Sequence, residues 1–335
     1  MSAAKQRLAA WFESVWYENR PLARTLLSPF SYLFCYLAQQ RKAKLCLEQQ
    51  PCSVPVIVVG NITVGGTGKT PLVIWLLEYL RQAGYRPGVV SRGFGGVATD
   101  VRFVQADDKA HVVGDEPLLI VQRTAVPLVI GRDRNAAIAQ LLAQSTCNLV
   151  IADDGLQHYR MKRDLEIAVV DGARRFGNGY CLPAGPLREP PARLQTCDFV
   201  VANGVAQRGE YAMQILGSNL YALTGRQSQA LSIFQGQTVH AVTGIGNPAR
   251  FFDSLKSAGL NLIEHIFPDH HIFTADDLNF QDDLPLLMTE KDAVKCRDFP
   301  ADRLNKAWYL PIEAHLEAAF AERFLQRLKE LTQHG

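Results

Sequence analysis

Residues 54–71 read VPVIVVGNITVGGTGKTP. The first seven form a β-branched apolar run, the pattern of a strand buried on both faces. A glycine-rich turn follows, and then an amphipathic segment whose spacing predicts a helix over 70–83. Pro71 suits the first turn of that helix, where a missing N–H costs nothing. Gly68, Lys69 and Thr70 match the end of the phosphate-loop template G-x-x-x-x-G-K-[ST], whose opening glycine falls on Thr63. Thr63, Val64, Gly65, Gly66, Thr67 and Gly68 are placed to turn backbone N–H groups toward phosphate. Lys69 would reach the outer phosphates, and Thr70 would offer its hydroxyl to Mg²⁺. An ordinary glycine-rich turn is the plain alternative; a strand before and a helix after favour the nucleotide.

Outward from this segment the theme repeats. Apolar runs at 87–91, 127–130, 148–153 and 166–171 read as further strands, and 133–144 as a helix between two of them. Continuous apolar strands separated by helices indicate a parallel sheet covered on both faces. Runs at 199–203, 240–244, 260–266 and 285–289 continue the pattern after a Gly-, Pro- and Arg-rich break at 174–193, read as loop. Residues 312–332 have helical spacing. The reading is two α/β layers joined near 165–175. The run at 148–153 ends in Asp153 and Asp154, where a phosphate-loop protein keeps its metal-handling acid. Either aspartate can face Mg²⁺; an acidic pair leaving a strand also serves as a turn or helix cap.

The chain has 335 residues, 47% of them hydrophobic, and a net charge of +2. That balance gives no case for nucleic-acid binding, which needs a basic excess on one domain. Seven cysteines at irregular spacing, without a C-x-x-C pair, read as reduced thiols rather than a disulfide framework or zinc site. The apolar stretch at 26–38 contains Pro29 and is shorter than the about 20 residues a spanning helix requires. Leu8, Trp11, Phe12, Val15 and Trp16 recur at helical spacing before it, and Arg20, Arg24, Arg41, Lys42 and Lys44 flank it. Aromatic and basic residues around a modest apolar face suit a helix lying in a membrane interface, and equally one covering an α/β core.

A phosphate loop alone does not choose among kinase, ATPase and switch. The remaining motifs are SRGFG at 91–95, GDEP at 114–117, DDGLQH at 153–158, LPAGPLREP at 182–190, FPDHH at 267–271 and TEKD at 289–292. In this order, from about residue 21 to the last helix, the chain closely resembles the tetraacyldisaccharide 4'-kinases, the lipid A kinases of Gram-negative bacteria. The resemblance implies transfer of the γ-phosphate of ATP to the 4'-hydroxyl of a tetraacylated glucosamine disaccharide 1-phosphate, with Mg²⁺ as cofactor. It implies an α/β fold: a P-loop NTPase-like domain at 46–165 closed by a helix at 314–335, and a second α/β/α domain at 172–307. Two hinge strands near 166–171 and 308–313 would join them. Interfacial helices at 1–45 would hold the enzyme peripherally on the membrane surface, at the cytoplasmic face of the bacterial inner membrane, so the expected partners are a glycolipid and that surface.

Residue by residue, the family's catalytic base falls on Asp115 and its partner histidine on His270, with Lys69 beside the transferred phosphate. A carboxylate within hydrogen-bond reach can take the proton of a sugar hydroxyl, and a histidine can orient it. The plain alternatives are a carboxylate at a helix N-terminus and one of two solvated histidines, of which His271 is the other candidate. Glu116 joins Thr70, Asp153 and Asp154 as a metal candidate. Arg92, His158, Arg188 and Glu189 are candidate substrate contacts, since arginine forks suit phosphate. TEKD follows a strand where a loop contacting the nucleotide base would sit. The competing function is a regulatory or metal-delivering NTPase; these usually carry a lysine where Val64 stands, or a metal-binding tract, and this chain has neither.

Overall fold

The structure is a computed structural model and describes residues 3–225 and 227–333. Two helices come first, α1 (Ala3–Tyr17) and α2 (Pro21–Cys46). An alternating series follows: β1 (Val56–Gly60), α3 (Lys69–Gln82), β2 (Pro87–Ser91), β3 (Arg102–Phe103), α4 (Ala110–Val113), α5 (Asp115–Thr124), β4 (Leu128–Ile130), α6 (Arg134–Gln144), β5 (Leu149–Asp153) and β6 (Leu165–Asp171). Strands β7 (Phe199–Asn203), β8 (Tyr211–Leu216), β9 (Asn219–Ala222), β10 (Ser228–Ala230) and β11 (Thr238–Thr243) lead to α7 (Pro248–Ser257) and β12 (Asn261–Ile266). The chain ends with β13 (Leu286–Thr289), α8 (Glu290–Cys296), α9 (Ala301–Leu304), β14 (Ala307–Leu310), β15 (Glu313–Leu316) and α10 (Ala318–Gln333).

The strands form two sheets. The larger has the order β15-β8-β7-β6-β1-β5-β2-β4-β3, and every pair from β8 through β4 is parallel. Its central strands are buried along their whole length, as their unbroken apolar sequences require. Helices α3, α5 and α10 cover one face, where Leu72, Leu76, Ile120, Phe320 and Phe324 pack on Ile57, Ile151 and Ile167. Helix α6 covers the other through Ala137, Ile138 and Leu141. The smaller sheet, β10-β9-β14-β13-β11-β12, carries its own two apolar clusters.

Three expectations need correction. Strands β6, β7 and β8 all lie in the first sheet, so the second unit begins near residue 217 rather than 172. The chain passes between sheets at 217–218 and again at 311–312, where β8–β9 and β14–β15 run as a two-stranded ribbon. One expected hinge segment, 308–313, is therefore at the crossing, while 166–171 is a central strand; an apolar run in sequence does not show which sheet receives it. Residues 313–316, read as the start of the final helix, form edge strand β15, whose pairing with β8 overrides helical spacing. Finally, Cys35 in α2 is joined by a disulfide to Cys181, while Cys46, Cys52, Cys147, Cys197 and Cys296 are free thiols. The fold brings these two Cα atoms to 6.3 Å, a proximity that spacing in sequence cannot reveal.

No described helix is long and apolar enough to cross a membrane. Helices α1 and α2 rest on the 176–187 segment. Trp16 Nε1 donates to the Pro183 carbonyl (2.9 Å), Ser31 Oγ to the Cys181 carbonyl (2.7 Å), and Phe34 packs with Ile62 and Leu187. The expected spans 1–45 and 314–335 include residues 1–2 and 334–335, which lie outside the described residues.

Candidate active site

The phosphate loop leaves β1 at the C-terminal edge of the larger sheet, where open α/β folds place their ligands. Gly65 (φ +104°) makes the loop's turn, and Gly68 (φ +99°) stands just before α3. A Cβ on Gly68 would lie 2.6 Å from Asn203 Nδ2, because that amide comes from the end of β7 to donate to the Thr67 carbonyl (3.1 Å). Thr63, the departure from the template, is buried and bridges Leu187 in extended conformation, so no glycine is needed there. Two backbone bonds, Val64 N–H to Pro186 O (2.8 Å) and Arg188 N–H to Ile62 O (2.7 Å), tie the loop to the LPAGPLREP segment.

Lys69 heads α3 with Nζ 3.2 Å from Asn61 Oδ1 and 3.4 Å from Asp154 Oδ1. Arg188 reaches the other oxygen of Asp154 at 3.2 Å. Burial raises the Asp154 pKa, but the Lys69 and Arg188 cations outweigh it and hold the carboxyl at about 2. Asp153 is the opposite case. It is buried, and desolvation, then the negative charges of Glu116 and Asp154, push its carboxyl up to about 7. Ser91 Oγ donates to Asp153 Oδ2 (3.1 Å), while Oδ1 is buried with no hydrogen-bond partner. An orphaned buried carboxylate oxygen under such strain fits a cation, and the residue rather than Asp154 has an oxygen to give. Among the described residues no three His, Cys, Asp or Glu side chains are grouped to hold a metal by themselves. That suits Mg²⁺, which takes one or two carboxylates and completes its shell with phosphate and water.

Asp115 opens α5 after Gly114, whose φ of +95° sets the turn. The carboxylate is 3% exposed; Oδ1 accepts the Glu116 amide (2.9 Å) and Oδ2 lies 3.0 Å from His270 Nδ1. The structure thus brings together the two residues named as base and partner. His270 comes from the second unit, holds a left-handed backbone (φ +57°), and packs edge-on against Phe94 of SRGFG. A non-glycine residue there stores strain of a kind concentrated at functional sites. Burial works against charge in both groups. The His270 hydrogen bond, then Lys291 and Lys295, nevertheless hold Asp115 below its ordinary value, and the bond to Asp115 raises His270. His271 is elsewhere, 3.2 Å from Asp277 and stacked on Phe267, so it is not the partner.

Other candidates fare unevenly. Glu116 pairs with Lys291 at 3.0 Å; its oxygen is engaged by a cation, and it acts on Asp153 through its charge. Glu189 is buried and bonded to the Tyr159 hydroxyl and Gln157 Nε2, with Arg193 alongside, so it braces the loop instead of facing a ligand. Arg92 is exposed after β2, and His158 is half-buried and neutral, burial and then Arg134 pulling its pKa down to about 4. The TEKD segment lies at the junction of the two units, against α5. Its Lys291 stands among Glu116, Asp115 (3.9 Å) and Asp269 (3.7 Å), and Lys295 one turn on is 4.0 Å from Asp115. Sequence reasoning missed both lysines; the signal available was their i, i+4 spacing, which puts them on one face of a short helix.

A profile of the family described as tetraacyldisaccharide-1-P 4'-kinase matches residues 23–329. The tetraacyldisaccharide 4'-kinase of Nitrosococcus oceani is 49% identical, over 94% of this chain and 93% of its own. That of Methylobacillus flagellatus is 49% identical, over 97% and 98%. The crystal structure of LpxK from Aquifex aeolicus in complex with ATP superposes with a TM-score of 0.76 at 26% identity, covering 91% of this chain and 99% of that one. With a matched profile spanning nearly its whole length and relatives this similar end to end, the chain belongs to the tetraacyldisaccharide-1-phosphate 4'-kinase family.

Proposed function

We propose that this protein is an ATP-dependent lipid kinase that transfers the γ-phosphoryl group to the 4'-hydroxyl of tetraacyldisaccharide 1-phosphate, a step of lipid A biosynthesis. The observation that carries the reading is the buried Asp115 carboxylate held by His270 across the junction of the two units. In that role Asp115 takes the hydroxyl proton as the sugar oxygen attacks phosphorus. His270 and the Glu116 amide fix its two oxygens, so little reorganisation is needed when the proton arrives. Lys69, which in the structure pairs with Asn61 and Asp154, is the cation placed to contact the outer phosphates of ATP. Asp153 and Thr70 would hold Mg²⁺, which when bound neutralises charge on the β- and γ-phosphate oxygens. Arg92, Arg188 and His158, around the same crevice, are the side chains left to contact substrate.

The acceptor is a lipid, and α2 has a surface for its membrane. Leu22, Leu26, Phe30, Leu33 and Leu37 are all exposed and follow one another by three or four residues, which makes a single apolar stripe. Arg41, Lys42 and Lys44 follow it. Such a helix lies in the interface with its stripe among acyl chains and its basic end near headgroups. We place the enzyme peripherally at the cytoplasmic face of the bacterial inner membrane, where ATP and a membrane-embedded glycolipid meet.

The test is transfer of labelled γ-phosphate to the disaccharide 1-phosphate in detergent micelles. Wild type labels the lipid, and Lys69→Ala and Asp115→Ala each lose roughly 100-fold or more. Hydrolysis of ATP without any labelled lipid would sink the reading in favour of a regulatory NTPase.

A further inference from the structure

We propose that Lys295, braced by Asp292, is a positioning residue for Asp115. The inference rests on the reading of Asp115 as the base. Asp292 is fully buried at the start of α8, and four groups converge on its carboxylate: the hydroxyls of Thr243 (3.2 Å) and Thr289 (2.6 Å), the Gly244 amide (3.0 Å) and Lys295 Nζ (2.7 Å). Two of those anchors are the last residue of β11 and the residue after it, and a third ends β13. Asp292 is therefore fixed by the sheet itself. The same Gly244 accepts the His270 amide at its carbonyl (3.2 Å), so one strand end carries both the brace and the histidine.

The Lys295 side chain is 8% exposed. Its ammonium lies 4.0 Å from Asp115 Oδ2 and 5.1 Å from the Phe273 ring centroid, and with Asp115 and His270 it lines a cavity of about 260 Å³. Burying an ammonium is expensive, and an apolar side chain of similar length would fill the space at less cost. Asp292 holds the cation in place, and Asp115, 4.0 Å away on the other unit, is the further carboxylate it is left to act on. At 4.0 Å Lys295 attracts Oδ2 without a direct hydrogen bond, leaving the carboxylate free to receive a proton. His270, bonded to that strand end, and Lys295 on α8, tied to it through Asp292, thus reach the same oxygen, and the second unit presents them together.

The experiment is a double-mutant cycle between Lys295→Met and Asp115→Asn, reading kcat for lipid phosphorylation and, separately, ATP dissociation constants and thermal midpoints. Lys295→Met is expected to lower kcat roughly 10- to 100-fold, the usual cost of losing an orienting partner, with ATP affinity unchanged and a lower midpoint from the stranded Asp292 carboxylate, which the cycle cancels because it is common to both backgrounds. Lys295→Arg restores most of the rate. In the Asp115→Asn background the same Met substitution costs nothing further. Should Met at 295 disturb the fold, Lys295→Gln goes through the same cycle. Equal losses in both backgrounds, or no recovery with arginine, would overturn the proposal by making Lys295 merely structural. Full activity in Asp115→Asn alone would overturn the base reading, a result visible before Lys295 is touched.

Discussion

Gly68 and Gly66 differ by two positions and should differ sharply in what they tolerate. Gly68 sits at φ +99°, and an added Cβ would meet Asn203 Nδ2 at 2.6 Å and Ile215 Cδ1 at 2.9 Å. Left-handed backbone alone costs a non-glycine residue about 1–2 kcal/mol, so Gly68→Ala should lower stability by at least that amount in denaturant titration and weaken ATP binding. A Cβ on Gly66 meets nothing within 4 Å, and its φ is not positive. Gly66→Ala should leave stability unchanged and change only nucleotide affinity; an equal stability loss in both would refute the geometry. The phosphate loop was legible because its chemistry is local: residue types and spacing suffice. The buried Asp115–His270 contact was not legible from residue chemistry, since its members are 155 positions apart and either is ordinary alone; family resemblance supplied it. The partners of Glu116 and Glu189, a lysine and a tyrosine hydroxyl, were illegible for the same reason, lying far away in sequence. The Asp115–His270 pair also predicts a pH dependence. His270 is raised above 6.5, so its contribution is complete below 6.5 and lost as pH climbs through its folded value. Asp115 is depressed below 3.8, so its contribution is present above 3.8 and lost in acid. With Lys291, Lys295 and Asp269 around the pair left intact, the stability gap between wild type and His270→Gln should be widest between these limits and shrink on both sides. A gap independent of pH would show that the two groups do not interact.

At the scale of elements, strands buried on both faces were read correctly within a residue or two, because continuous apolar runs admit few other structures. The short strands β9, β10 and β15 escaped notice, since half-exposed segments of three or four residues carry little pattern, and β14 was anticipated only through the hinge strand that the resemblance implied near 308–313. Helix α10 shows what closes the larger sheet. Its Phe320 and Phe324 are fully buried, and Phe320 packs against Trp75, Phe199 and Tyr211. Phe320→Ala should cost about 3–5 kcal/mol in equilibrium unfolding; a cost near zero would mean the helix is dispensable. Helix α2 makes the opposite demand, because its stripe is exposed. Replacing Leu26, Phe30 and Leu33 together by glutamine should leave the thermal midpoint intact and abolish co-flotation with anionic phospholipid vesicles. Undiminished flotation would remove α2 from the membrane.

On the scale of the whole molecule, the site is complete only when the two sheets are held in register. The phosphate loop, Asp153 and Asp115 ride on the larger sheet; His270, Lys291 and Lys295 ride on the smaller. The covalent link between them is the ribbon that crosses at 217–218 and 311–312. Gly217 is the tight point of that crossing, for a Cβ there would lie 2.7 Å from the Pro311 carbonyl oxygen and 2.9 Å from Leu310 Cγ. The first obstacle is backbone, so the two strands must part by some tenths of an ångström or more. Such a shift at the pivot is magnified at the cleft, where Asp115 and His270 need hydrogen-bond contact. Misplacement near 1 Å costs about 100-fold in rate when catalysis depends on orientation. Gly217→Ala should therefore depress lipid phosphorylation by at least tenfold, on the order of that estimate, while ATP still binds, because the phosphate loop lies wholly within the larger sheet. Measuring both on one preparation decides the matter: parallel losses would place the damage in the fold, and a loss confined to turnover would make the crossing the joint on which the site depends.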